Sequence, residues 1–446
     1  MRHRSSILVS LTVAAALVAT APAAGAGSWS GPQGFAAGDD DAREPVPRVA
    51  IARDGSSALA FRSKSGALML ATGSRNGRFG SPRVIDRTGV SDYSIAAAPG
   101  GAFLLAWDDD RDGLRAVLRT KAGRAIVRRR YGSGPSSQIN GVQVAADPQG
   151  GWVLAQRVFP YGPRRDRLYG VRALTLDRAG RLIGPVQDLG AGQFGIDARP
   201  TQSLAVAPDG RAVLTFRRAV AATTFPAPPA PVVVATRPHG GLFGAPVALS
   251  GEPAADPRVA IGADGQTLIT ATQIRSRGDA AVFGNPIVAR VAPAGALGAP
   301  FGPVVANPGR AFAPTVAPTR AGRGVLVFQL KTKSDPFATE APVRAVAIAA
   351  DGTVGPMQTL TTGRAKEPVT MALSGGRALT IWSGRRGIDA RLARAGGSFR
   401  TSAPPKGPPP RPFHTNSTNR DLRTAGRYAI FAWARDGRVR VTVRRF

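Results

Sequence analysis

The chain has 446 residues, no cysteine and a formal charge of +31, carried by 59 basic residues of which all but six are arginine. The missing cysteines exclude a disulfide framework and a lipid-modified cysteine anchor, so core burial must hold the fold, and a chain of this length can supply it. The charge implies nonspecific attraction to polyanions at any ordinary pH, because guanidinium groups stay protonated.

Residues 1–26 combine Arg2 and Arg4, an apolar run over 7–21 and a small-residue exit at Ala24-Gly25-Ala26, the pattern of a secretory signal peptide. Its removal predicts a mature chain of 27–446 with a charge of +29, periplasmic or secreted. No later apolar run approaches the ~20 residues that a membrane helix needs. The mature chain then opens on WSGPQ at 29–33, and cousins of that scrap return as FGSPR at 79–83, LIGPV at 182–186, FGAPV at 243–247 and LGAPF at 297–301.

A second signature runs between these scraps. A glycine is followed six residues later by the end of an apolar strand: Gly55 and Phe61, Gly101 and Trp107, Gly150 and Gln156, Gly210 and Phe216, Gly265 and Ala271, Gly322 and Phe328, Gly376 and Trp382. An eighth copy, Gly426 and Trp433, is one residue longer. The copies recur about every 53 residues, on the scale of a propeller blade. Each unit reads as a small-residue strand (RVAIA at 48–52, SLAVA at 203–207, RVAIG at 258–262), a tight Asp-Gly type of turn, the aromatic-ended strand, a third strand and the FGxP-like strand. Asp-Gly between alternating apolar runs is a hairpin signal, and Ala and Val suit inner strands that converge on a narrow axis.

The pattern predicts an all-β propeller of eight four-stranded blades, with seven as the next count and a long sandwich or solenoid as the competing arrangement. One propeller domain over 27–446 and a monomer are expected. The proline-rich segment at 403–413 reads as a semi-rigid spacer before the eighth unit, or as a ligand for a partner. The final RVRVTVRRF alternates Val439, Val441 and Val443 with arginines and has nothing after it to cover its edge. An N-terminal strand at 28–36, containing WSGPQ, is expected to complete that last blade and close the ring.

The unit VAPDGRAVLTF, and WDDDRDGLRAVL after its own aromatic strand, resemble the TolB-type, WD-like propeller repeats of bacterial exported proteins. The resemblance implies a propeller with a binding role and brings no catalytic residues with it. The Ser-x-Asp-x-Gly-x-Thr-Trp box of sialidases is absent.

In such a ring the connections between second and third strands share one face with the links between blades. These second connections are short in units one, two, seven and eight and long in units three to six, at 158–167, 218–231, 274–286 and 331–342. Long loops gathered on one side of a rigid scaffold are what a binding surface looks like. Each holds an aromatic near a proline: Phe159 and Tyr161, Phe225, Phe283, Phe337, with Arg164, Arg165 and Arg167 adding charge. Aromatic faces beside guanidinium groups suit a sugar or an anionic polymer; the alternative is that each ring anchors its own loop. The blade links bring Arg43, Glu44, Arg199, Asp256, Arg258, Arg310, Lys366 and Glu367 to the expected channel mouth, as a small-ligand site or as solvated ion pairs.

The expected function is a secreted, non-catalytic propeller that binds a glycan or an acidic envelope polymer on its long-loop face, with a protein partner as another option. The enzymatic alternative is a propeller-type glycosidase or lyase using two of Glu44, Asp256 and Glu367 as acid and base. No cofactor is expected beyond calcium: Asp108, Asp110 and Asp112 before Gly113 match the first half of a calcium loop, although Ala116 and Arg119 stand where later ligands belong, so a plain acidic turn competes. Arg277-Gly278-Asp279 is a chance triplet in so arginine- and glycine-rich a chain. Only His239 and His414 remain after leader removal, which argues against histidine-based metal or triad chemistry.

Overall fold

The computed structural model describes residues 28–37, 46–87, 90, 92–109, 113–131, 137–160, 168–193, 202–218, 230–277, 280–301, 304, 311–331, 340–363, 365–384, 387–402, 404–405, 420–435 and 437–446, except the side chains of 137–140, 159–160, 168–169, 191–193, 275–277, 280–283 and 367. A first strand, β1 (Gln33–Ala36), stands ahead of eight successive antiparallel sheets. Blade one contains β2 (Arg48–Ile51), β3 (Ser57–Arg62), β4 (Leu68–Gly73) and β5 (Arg83–Asp86). Blade two contains β6 (Tyr93–Ala97), β7 (Phe103–Asp109), β8 (Gly113–Arg119) and β9 (Ala125–Tyr131). Blade three has β10 (Ser137–Ala146), β11 (Trp152–Pro160), β12 (Leu168–Leu176) and β13 (Gln187–Gln193), and blade four has β14 (Gln202–Val206), β15 (Ala212–Arg217), β16 (Val232–Arg237) and β17 (Val247–Ala248).

Blade five shows three strands among the described residues, β18 (Ala254–Ile261), β19 (Thr267–Arg277) and β20 (Ala280–Val291). Its outer edge is met by Leu297, bridged to Val291, and by Phe301, whose N–H donates to the Val288 carbonyl at 2.7 Å. Blade six follows with β21 (Ala311–Pro318), β22 (Gly324–Leu330), β23 (Val343–Ile348) and β24 (Gln358–Thr359), and blade seven with β25 (Ala365–Leu373), β26 (Arg377–Gly384), β27 (Gly387–Ala393) and β28 (Phe399–Thr401). Blade eight joins β29 (Arg420–Ala425), β30 (Tyr428–Arg435) and β31 (Arg438–Arg445) to β1, in the order β1-β31-β30-β29. The inner strands β2, β6, β10, β14, β18, β21, β25 and β29 each contact the next, and β29 contacts β2, so the molecule is an eight-bladed β-propeller. No helix among the described residues is long and apolar enough to cross a membrane.

The turn glycines make the first hairpins tight. Gly55, Gly210 and Gly265 adopt φ of +85°, +85° and +81°, a region that residues with a Cβ avoid. At Gly55 a Cβ would also lie 2.7 Å from the Cβ of Arg75. The second strands then bury their aromatic ends between blades, with Phe61, Trp107, Phe216, Phe328, Trp382 and Trp433 all sealed from solvent. Each such side chain contributes roughly 1.5–3 kcal/mol.

The ring closes as its free edge demands. β1 pairs antiparallel with β31, Gln33 opposite Val441 and Phe35 opposite Val439, and Trp29 bridges to Arg444. The Ser30 N–H donates to the Val443 carbonyl at 2.8 Å, and the Ser30 hydroxyl accepts the Val443 N–H at 3.0 Å. Phe35 stacks on Phe61 of blade one at 5.8 Å between ring centroids and meets Phe79 edge-on.

The recurring scrap also staples neighbouring blades. Gln33 gives its side-chain N–H to the Phe79 carbonyl and accepts the Phe79 N–H, both at 2.8 Å. Gln187 treats Phe243 of blade four in the same way, at 3.1 and 2.8 Å, and Gln358 reaches the Gly397 carbonyl and the Phe399 N–H of blade seven. On the face of the tight turns, arginines do comparable work. Arg211 donates to the carbonyls of Gly265 and Ala292 in blade five, and Arg290 to those of Gly322, Ala349 and Ala350 in blade six. Fully buried Arg237 bonds the Gly210 carbonyl, the Thr175 hydroxyl and, at 3.1 Å, the Asp147 carboxylate, while burial holds its pKa below the usual value. Part of the arginine surplus is therefore structural, a use that composition alone does not reveal.

Two of the long connections turn out to be partly strand. In blade five the pairing of β19 with β20 runs on from Ile274↔Phe283 to Arg277↔Ala280, making an extended ribbon. In blade three β11 continues to Pro160 opposite Ser137. The stretches 161–167, 219–229 and 332–339, and most of the proline-rich spacer, lie outside the described residues.

Candidate functional site

The inner strands of all eight blades surround a central cavity of about 820 Å³. Each inner strand starts on the face of the long connections and ends at a tight turn, and the lining changes along that direction. Ile51, Ala97, Ala146, Val206, Ile261 and Ala372 line the end near the turns. Toward the opposite mouth stand Arg48, Arg157, Arg258 and Arg420, with Asp92, Asp256 and Asp421, while Arg423 sits deeper on β29.

An inner strand has one edge without a partner strand, and its buried N–H and C=O groups must find other partners. Neighbouring inner strands supply them. Asp421 Oδ2 accepts the Val49 N–H at 3.0 Å, and Asp92 Oδ2 accepts the Val142 N–H at 2.9 Å while its Oδ1 accepts the Tyr93 N–H at 2.9 Å. Ser94, Ser203 and Thr315 offer hydroxyl oxygens to the N–H groups of Val144, Val259 and Thr370, each at 3.1 Å. In return, Arg48 reaches the Tyr93 carbonyl at 3.4 Å, Gln143 the Gln202 carbonyl at 2.7 Å, and Arg420 the Lys366 carbonyl at 2.9 Å. The Gln202 side-chain amide donates to the Gly141 carbonyl. The Tyr93 hydroxyl donates to the Val46 carbonyl, and burial pushes its pKa up to about 12. The carboxylates of Asp92 and Asp421 thus lace the ring together.

The backbone at this mouth is strained. Inner strands of blades three, five, six and seven carry a bulge at the same place, between Asn140 and Gln143, Ala255 and Arg258, Phe312 and Thr315, and Lys366 and Val369. Gly141, Asp256 and Ala313 occupy the left-handed region there, at φ of +62°, +53° and +48°. Each stands nine residues before the turn glycine of its blade, Gly150, Gly265 or Gly322. For Asp256 and Ala313 this conformation costs about 1–2 kcal/mol each, and such strain gathers at ligand clamps and active sites.

Of the residues expected at the mouth, Asp256 and Arg258 do line it, with Asp256 buried in its bulge. Lys366 pairs instead with Glu340 at 3.4 Å. Glu367 lies in β25, with its side chain outside the description, as are Arg43, Glu44, Arg199 and Arg310 altogether. Among the loop residues, Phe159 falls on β11 and Phe283 on the blade-five ribbon opposite Ile274, with side chains not described. Tyr161, Arg164, Arg165, Arg167, Phe225 and Phe337 lie outside the described residues. Asp108 is buried, and its Oδ1 accepts the Asp92 N–H at 2.9 Å; Asp110 and Asp112 lie outside the described residues.

Sequence reasoning missed Arg48, Asp92, Gln143, Arg157, Gln202, Arg420 and Asp421. One signal was available: Arg48 and Arg258 occupy matching places in VPRVAI and DPRVAI. The dipeptides Asp256-Pro257, Ala313-Pro314 and Glu367-Pro368 mark the bulges at a constant distance from the turn glycine.

No family model matches the chain, and no curated protein matches it. Among solved structures, the lectin BP39L from Burkholderia pseudomallei aligns with a TM-score of 0.51 at 13% identity, covering 81% of this chain and 99% of the lectin. An α-L-arabinanase from Penicillium chrysogenum gives 0.42 at 13% identity over 94% of this chain and 98% of that one. A puromycin hydrolase gives 0.46 at 17% identity over 88% of this chain, which spans 59% of the hydrolase. At such identities the likeness is one of fold.

Proposed function

We propose that the protein is an exported, non-catalytic binding propeller that takes an acidic glycan or another acidic envelope polymer at the long-connection mouth of its channel. The observation that carries this reading is the strained pair Asp256 and Ala313, each followed by proline, set at the same mouth as the arginine lining. Strain is retained where it shapes a site. Guanidinium groups match carboxylates and phosphates, and Arg48, Arg157, Arg258 and Arg420 stand together in this lining. The likeness of the units to TolB-type repeats, and the lectin fold among the structural neighbours, are consistent with binding. The loop aromatics Phe159, Phe225, Phe283 and Phe337 would extend the same surface by stacking on sugar rings.

Catalysis by carboxylates at this mouth has no observation in its favour among the described residues. Asp92 and Asp421 hold backbone N–H groups, and Asp256 is buried. Isothermal titration with uronic-acid oligosaccharides and their neutral counterparts tests the binding reading, using the parent protein and Arg258→Gln. Preference for the acidic series, weakened in the variant, is expected. Equal binding of the neutral series, or turnover of either, overturns it.

A further inference from the structure

The outer rim of blade two differs from the other rims. β9 is the edge strand of its sheet, in the order β6-β7-β8-β9. It is seven residues long, whereas β1, β5, β17, β24 and β28 have between two and four. A register shift leaves Ile126 out of the ladder, but from Val127 to Tyr131 β9 pairs with β8 at five consecutive positions, while the pairing of β13, of equal length, is broken after three. A long regular edge is a template for another strand, and short outer strands are one way to avoid that. Blade two keeps the template and writes AIVRRRY along it, with Arg128, Arg129 and Arg130 exposed and Ile126 54% exposed.

The two faces of β9 are not alike. Val127, Arg129 and Tyr131 turn toward blade three, where the Tyr131 hydroxyl donates to the Gly180 carbonyl at 2.5 Å. Arg128 and Arg130 lie on the other face by the alternation of a strand. Arg128 there joins Arg83 of β5 and Arg119 of β8. Burial, and then the like charges of Arg128 and Arg83, push the Arg119 pKa below its usual value. Among the described residues no acid pairs with Arg83 or Arg128. Like charges crowded along an edge that no described strand occupies are relieved by an anion, and the row of backbone donors and acceptors selects a polypeptide as its carrier.

We propose that β9 is a docking strand for an acidic, extended polypeptide, which adds to blade two as a fifth strand. Directly opposed residues of paired strands hold their Cβ atoms ~4.5–5.5 Å apart. Acids at every second position of the guest therefore meet Arg128 and Arg130 together. This site is on the outer rim and is independent of the channel mouth.

The test uses the full chain and two fluorescein-labelled octapeptides of one composition, alternating TETETETE and contiguous TTEEEETT, with inorganic polyphosphate as a third probe. Anisotropy is expected to favour the alternating peptide. Arg128→Ser with Arg130→Ser is expected to weaken it about tenfold, the scale of two exposed charge pairs, and to erase the preference, while Arg258→Gln leaves it intact. Hydrogen exchange is expected to show β9 amides protected by the alternating peptide. Three outcomes overturn the proposal: polyphosphate binding here while neither peptide does, peptide binding indifferent to the double substitution, or no peptide binding together with dimerisation of the double variant. The last would make the arginines guards against self-pairing.

Discussion

Replacing Phe35 by alanine removes the aromatic key of ring closure. The side chain is 8% exposed, stacked on Phe61 and set against Phe79, and so belongs at once to blade eight and blade one. Truncating a buried phenylalanine costs about 3–5 kcal/mol, transfer and cavity together. Unfolding entropy of ~2.1 cal/mol/K per residue over roughly 400 ordered residues gives ~0.8 kcal/mol/K, so a loss near 4 kcal/mol lowers Tm by about 5 °C. Gly34→Ala is the control, because a Cβ there meets nothing closer than 4.0 Å, and it is expected to shift Tm by less than about 1 °C. Differential scanning calorimetry reads both. If Phe35→Ala melts within 1 °C of the parent, β1 is an ornament on blade eight and the closure argument fails.

Asp92→Ala strands the N–H groups of Tyr93 and Val142 and is expected to cost roughly 2–4 kcal/mol in urea unfolding, with Asp92→Asn losing less because one acceptor survives. Asp147→Ala leaves the buried Arg237 guanidinium without its counter-charge, a loss of about 3–5 kcal/mol that Arg237→Met in the same chain should partly recover in a double-mutant cycle. Tyr93, whose burial raises its pKa from 10.0 to about 12, keeps its proton longer folded than unfolded. Its contribution is whole below pH 10 and lost as pH climbs through about 12, so a titration followed at 295 nm should show late ionisation that shifts to near pH 10 in denaturant. Binding of an acidic polymer should weaken by on the order of tenfold or more between about 50 and 200 mM salt; salt-independent binding would assign recognition to stacking.

The closing strand was legible because an edge with Val439, Val441 and Val443 on it needs a partner, and the only unassigned strand lay at the other end. The blades were legible because a left-handed turn admits few residues besides glycine. The blade-five ribbon was hidden: Gly284 and Pro286 resemble loop punctuation, yet pairing continues across a register shift between Thr272 and Ile274. The channel lacing was invisible for a different reason. Asp421 meets Val49 across 372 positions of sequence, and no local pattern announces which acid will face which backbone group until the ring sets their heights. Asp256 was named as a carboxylate for chemistry, whereas its backbone proved the more telling part.

Because blade eight is made from both ends of the chain, it is the one blade that cannot assemble in passing. Seven sheets are local hairpin stacks, able to form as each stretch of chain becomes available. β1 must wait, since Ser30 meets Val443 across 413 positions, and bringing ends so distant together costs roughly 5 kcal/mol of loop entropy. Until that encounter, β1 has no partner and β31 shows a bare edge, and such edges are the surfaces through which a slow-folding chain is captured by a neighbour or a protease. After it, β31 is paired on both sides, with β30 and with β1. The clasp makes the last moment of folding the most hazardous and the finished ring the most durable, a trade of kinetic exposure for later persistence.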